Sequence, residues 1–151
     1  MVVMTESCQR AITACLHDSR THKHEGVCLL FGTTNETASV CMLAVRPEAK
    51  TTYGSFHISA LEMARVVDIA TDLRLQIVGQ VHTHPKGAFH SDGDENGTNI
   101  RHAGFVSIVV PNYGALLPDF VGSAVYVFTA EHGWEQIPLD AIRIVPDLIL
   151  R

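Results

Sequence analysis

The sequence predicts a mixed α/β domain, a β-sheet flanked by helices, and three observations predict it. Two segments repeat their apolar residues at the spacing of one helical face, several short runs are rich in Val, Ile and Leu, and the two kinds of segment are interspersed along the chain. With 151 residues and 46% hydrophobic content, the chain can bury one core, so one domain spanning residues 1–151 is expected.

The first helix is expected over residues 5–20, where Cys8, Ile12, Cys15 and Leu16 fall at i, i+4, i+7 and i+8. Residues 25–31 form a short apolar run stopped by Gly32, and residues 38–45 form a second, stopped by Arg46-Pro47. Both read as strands, joined by a polar turn over residues 33–37. A second helix starts at Ser59 as N-cap, with Glu62 as its capping-box partner and Ile58 and Met63 in staple positions. Met63, Val66, Val67 and Ala70 make its buried face, which ends near Arg74. Residues 76–84 form a strand cut by Pro85, which has no N–H for a ladder and disfavours helix at the residue before it. Residues 105–110 and 124–128 have strand composition, and 136–145 fits either kind of element.

Composition excludes several partners. Eleven basic residues against sixteen acidic ones leave a net charge of -5, and the basic residues are scattered singly, so nucleic acid is not expected to bind. No apolar run approaches the roughly 18 residues a membrane span requires, and a cytoplasmic protein is expected. Cys8, Cys15, Cys28 and Cys41 match no paired-thiolate metal spacing and read as reduced core or near-core thiols.

The chemistry is concentrated in VHTHPKGAFHSDGD, residues 81–94. On a strand, His82 and His84 share a face with Cα atoms about 6.5–7 Å apart, so two imidazoles can converge on one ion. Pro85 ends the strand, and the loop at 86–90 gives the chain room to return Asp94 as a third ligand. Two imidazoles and a carboxylate are how catalytic zinc is usually held, with a fourth position left for water whose pKa falls to about 7. That set lacks a base. Glu25 is a candidate, because it opens an apolar strand directly after the polar stretch 21–24. Ser91-x-x-Asp94 also fits a capping box for a short helix running from Asp92 towards His102. His17, His57, His102 and His132 stand alone, His22 and His24 read as exposed turn residues, and His90 and Asp92 as bystanders.

These residues resemble the JAMM metallopeptidases, also called JAB or MPN+, whose pattern is a glutamate on an early strand, then His-x-His-Pro, then Ser-x-x-Asp. The chain carries Glu25, His82-Thr83-His84-Pro85 and Ser91-Asp92-Gly93-Asp94, and the similarity extends to residues 25–32, 77–82 and 106–111. The resemblance implies a cytidine-deaminase-like JAB/MPN fold with a mixed, curved sheet. It implies Zn2+ held by His82, His84 and Asp94, Glu25 as general base, and Ser91 steadying the oxyanion. The implied activity is that of a zinc isopeptidase or peptidase cutting after the C-terminal glycine of a ubiquitin-like protein. Thr83 stands where serine is commoner in the family, and the segments 47–58 and 111–123 are short where eukaryotic members carry insertions. The chain looks more like compact bacterial members, some of which accompany E1-like and E2-like proteins in antiphage defence operons while others process sulfur carriers. A catalytically silent MPN scaffold is the alternative from another class, and the intact motif speaks against it. A zinc nucleoside deaminase requires His-x-Glu and Pro-Cys-x-x-Cys, which are absent.

Overall fold

The computed structural model describes residues 1–35, 37–89 and 100–147. In chain order the elements are β1 (Val2–Thr5), α1 (Glu6–His22), β2 (Val27–Thr34), β3 (Ser39–Val45), β4 (Lys50–Thr52), β5 (Ser55–His57), α2 (Ala60–Asp72), β6 (Gln76–Thr83), β7 (Val106–Val110), β8 (Ala124–Thr129), β9 (Gly133–Ile137) and β10 (Ile142–Val145). Eight of these strands make one curled sheet in the order β10-β1-β3-β2-β6-β7-β8-β9, and β4 and β5 pair separately as a hairpin. The sheet is mixed: β1 runs parallel to β3 and β10, and β6 to β7, while β2 is antiparallel to both its neighbours. The expected α/β architecture is therefore the observed one.

A strand in the middle of such a sheet is buried on both faces, which explains why β2 reads as an unbroken apolar run. Its residues divide between two clusters. Cys28 and Leu30 join Cys8, Ile12 and Leu16 of α1, while Val27, Leu29 and Phe31 join Val66 and Ala70 of α2. The sheet thus carries one helix on each face.

Each helix begins where its cap places it. Thr5 Oγ1 accepts the Cys8 N–H at 3.1 Å, and α1 ends at Lys23, whose φ of 52° turns the chain out of the helix. Asp147 adds a second clamp at the start of α1, accepting from the Ser7 N–H and hydroxyl and pairing with Arg10 at 2.8 Å. For α2, Ser59 Oγ accepts the Glu62 N–H at 3.1 Å. The Glu62 carboxylate, expected as the reciprocal half of a capping box, instead accepts the Glu48 N–H at 2.8 Å and binds Arg65. Glu62 therefore ties the helix to the segment following β3.

Two expectations need correction. Gly32 does not stop β2: the strand bulges between Phe31 and Gly32 and continues, because a Cβ at Gly32 would lie 1.7 Å from the Val40 carbonyl oxygen. Glycine there permits close approach of β3 and does not end the strand. Val67 is 46% exposed, since it borders an open apolar cleft with Leu75, Ile77 and Ile100 instead of the core. Cys15 is the near-core thiol of the four, half-buried against the core with its thiol directed at the Ala44 carbonyl. The other cysteines are buried and all four are free, with burial pushing the Cys8 and Cys41 thiols up to about 12. The ambiguous tail resolves into β9, a short turn of helix and β10, and β10 pairs with β1 near the other end of the chain. Among the described residues, no helix is long and apolar enough to cross a membrane.

The Arg65 guanidinium, with help from the Glu48 N–H, lowers the Glu62 carboxyl from its ordinary 4.5 to about 2. A depressed carboxylate stabilises the fold above its unfolded pKa, and that contribution is lost as pH falls through the folded value. The wild type should therefore lose stability between pH 4.5 and about 2 more steeply than Glu62→Gln. Thermal melts of both proteins across that window check the difference in slope.

Candidate active site

Glu25 and the histidine pair lie near the ends of two neighbouring strands, β2 and β6. β2 and β6 are antiparallel with Val27 opposite His82, and Glu25 lies two residues before β2 begins. Gly26 and Thr83 are bonded twice, Thr83 N–H to Gly26 O at 3.0 Å and Gly26 N–H to Thr83 Oγ1 at 2.8 Å. On its other side, the Glu25 N–H donates to Thr52 O of the β4–β5 hairpin at 2.8 Å. Glu25 is consequently clamped between β6 and the hairpin, with 4% of its surface exposed. Gly26 is glycine for a steric reason: a Cβ there would sit 2.0 Å from Ser19 Oγ and 2.9 Å from a Leu16 methyl. The last turns of α1 can thus lie directly on the strand that follows Glu25.

His82 is fully buried and His84 nearly so. Their ring centroids are 5.1 Å apart, with Phe56 against His82 at 5.3 Å and Phe89 against His84 at 4.9 Å. His84 lies one residue beyond β6 yet stays fixed, because its N–H donates to Val110 O at 2.9 Å and its carbonyl accepts the Tyr113 N–H at 2.8 Å. The Tyr113 phenol is held above its usual value, first by loss of solvation, then by Tyr53 and by the Glu25 carboxylate, so Glu25 and Tyr113 are electrostatic neighbours.

Two imidazoles bound to one tetrahedral ion at about 2.1 Å would have ring centres about 5 Å apart. The His82–His84 spacing of 5.1 Å fits that arrangement. Among the described residues, no group of three His, Cys, Asp or Glu is placed to hold a metal. Asp94 and Ser91, with His90 and Asp92, lie outside the described residues. His22 and His24 stay apart from the pair. The His22 ring contacts the Asp18 carbonyl at 2.7 Å, and the His24 ring contacts Thr51 Oγ1 at 3.3 Å. Both line a polar cleft of about 780 Å³ together with Asp18, Arg46 and Glu48. Glu25, His82 and His84 do not line this cleft.

Several neighbours of the site are not apparent from the motif alone. The β4–β5 hairpin that bonds the Glu25 N–H was missed, although TTYGSFH has the glycine turn and flanking β-formers of a short hairpin. Phe56 arrives with that hairpin. Tyr113 carried no signal, since its role depends on a backbone conformation at the end of β7.

Fold and site together define a mixed α/β domain in which Glu25, His82 and His84 are buried near the ends of two adjacent strands. The chain belongs to the prokaryotic homologues of the JAB domain, whose family model matches residues 6–121. It is 28% identical over 147 residues to the "Probable metalloprotease y4jG" of Sinorhizobium fredii, covering 91% of this chain and 87% of that protein. Its fold is similar to the solution structure of protein DSY2949 from Desulfitobacterium hafniense, with a TM-score of 0.72 at 15% identity. That likeness covers 98% of this chain and 95% of the other.

Thr83→Val keeps the shape of the side chain but leaves the buried Gly26 N–H without its acceptor. It should cost about 1–3 kcal/mol of unfolding free energy. Thr83→Ser should retain most of that stability, and denaturant unfolding of the two variants checks the contrast.

Proposed function

We propose that this protein is a zinc-dependent JAB-type peptidase that cuts the peptide or isopeptide bond following the C-terminal glycine of a ubiquitin-like protein. In this reading His82, His84 and Asp94 hold the metal, Glu25 is the general base and Ser91 steadies the oxyanion. The observation that carries it is the 5.1 Å spacing of two buried imidazoles, which suits one ion, with a buried Glu25 just ahead of the neighbouring strand. The relative named a probable metalloprotease supports the same class of chemistry.

A bound zinc would supply Lewis acidity, activating a water and polarising the scissile carbonyl. The remaining work falls to the chain's own residues. Glu25 takes a proton from the attacking water and returns it to the departing amine. The Ser91 hydroxyl donates to the carbonyl oxygen as charge develops there. Burial of Glu25 and both histidines keeps bulk water from competing for these groups.

The proposed setting is cytoplasmic. The substrate is a ubiquitin-like protein or its conjugate, and E1-like and E2-like proteins are the proposed companions, as in a bacterial conjugation or antiphage defence system. Trimming of a precursor, including a sulfur carrier, uses the same site and the same C-terminal glycine.

The test separates base from ligand. Glu25→Gln should keep its metal and lose about 10²–10⁴-fold in cleavage of a ubiquitin-like protein carrying a C-terminal fluorogenic amide. Full activity in that variant would overturn the role of Glu25. His84→Ala should lose about one zinc per chain by metal analysis. Metal content equal to the wild type would remove His84 from the ligand set.

A further inference from the structure

The backbone directly after β7 takes an unusual path. Asn112, Tyr113 and Gly114 follow one another with φ of 52°, 54° and 78°. Glycine adopts this left-handed region freely and asparagine tolerates it, but an aromatic residue there is strained by its Cβ. Such a conformation persists only where surrounding contacts hold it.

Several contacts around Tyr113 lead to the candidate site. Its N–H donates to the His84 carbonyl at 2.8 Å, and the preceding Asn112 N–H donates to Lys86 O at 3.0 Å. Its phenol donates to the Tyr53 carbonyl at 3.0 Å, with the two tyrosine rings edge to face at 6.1 Å. Tyr53 directly follows Thr52, whose carbonyl accepts the Glu25 N–H. The links close into a circuit: Glu25 to Thr52 and Tyr53, Tyr53 to Tyr113, Tyr113 to His84, and then through Thr83 and Gly26 back to Glu25.

The weak member of the circuit is the hairpin. Two strands of three residues each are marginal on their own. This pair is anchored by the buried Phe56, by the His24–Thr51 contact, by the Glu25 N–H and by the Tyr113 phenol.

We propose that Tyr113 is a positioning residue: gripping His84 with its backbone and the hairpin with its phenol, it sets how Glu25 lies relative to His84. The strained backbone is what lets one residue reach both. Its mechanistic weight rests on the reading of Glu25 as the base, but its structural content does not.

Tyr113→Phe removes only the phenolic O–H and leaves the ring and the backbone grip. Hydrogen exchange at the Glu25 amide should accelerate about fivefold, the loss of one ordinary hydrogen bond, while zinc content stays at the wild-type level. With the fluorogenic ubiquitin-like substrate, kcat should fall about ten- to hundredfold at unchanged KM, the pattern of a displaced catalytic group. Tyr53→Phe keeps the accepting carbonyl and should match the wild type in both measurements. If the wild type cleaves the substrate and Tyr113→Phe equals it in Glu25 exchange and kcat, the positioning role is overturned and the peptidase reading stands. If the wild type cleaves nothing, the peptidase reading falls, and the Glu25 exchange rate still decides whether Tyr113 holds the hairpin against β2.

Discussion

The antiparallel contact between β2 and β6 at the centre of the sheet is the interaction on which the rest depends. It is buried on both faces, so its hydrogen bonds have no competing water, and its register determines which side chains meet at its end. A slip of one residue would exchange the faces of His82 and Thr83. Thr83 would then lose the Gly26 N–H, and the histidine would turn towards α1. The bulge between Leu30 and Phe31 and the double bond between Gly26 and Thr83 both hold that register.

Around this contact the chain uses small residues where backbones must approach closely. Gly26 admits the last turns of α1, Gly32 admits β3, and Gly79 lies where a Cβ would meet the Val106 carbonyl at 2.7 Å. Large residues fill what remains, with Phe31 and Phe105 fully buried on the α2 side of the sheet. The site is thus the polar end of a tightly packed strand pair. Hydrogen bonds to Thr52, Val110 and Tyr113 hold the backbone of Glu25 and His84 just outside the strand ends, and the shorter, weaker hairpin completes the enclosure.

Much of this was legible in the sequence because the signals were local. Ser59 caps its helix as its side chain allows, and the buried spacing of Cys8, Ile12 and Leu16 follows from helical period alone. The shared face of His82 and His84 follows from the two-residue period of a strand. The illegible parts are those whose stability comes from partners far along the chain. β1 and β10 are four-residue strands that pair with each other across about 140 positions, too short to show a period. Glu62 reads as a capping residue until Glu48 and Arg65 are placed beside it.

The sequence by itself determined the chemistry on offer: a carboxylate just ahead of one strand, two imidazoles at the end of another, and a proline that follows them. Those properties belong to side chains and to local backbone rules. Only the tertiary structure decided that the strand after Glu25 lies against the strand of His82, because that depends on the β2–β6 register, on glycines that let backbones touch, and on a left-handed Tyr113 reaching two segments at once. Each of these is a close contact between residues far apart in sequence, and a one-dimensional pattern carries no record of it.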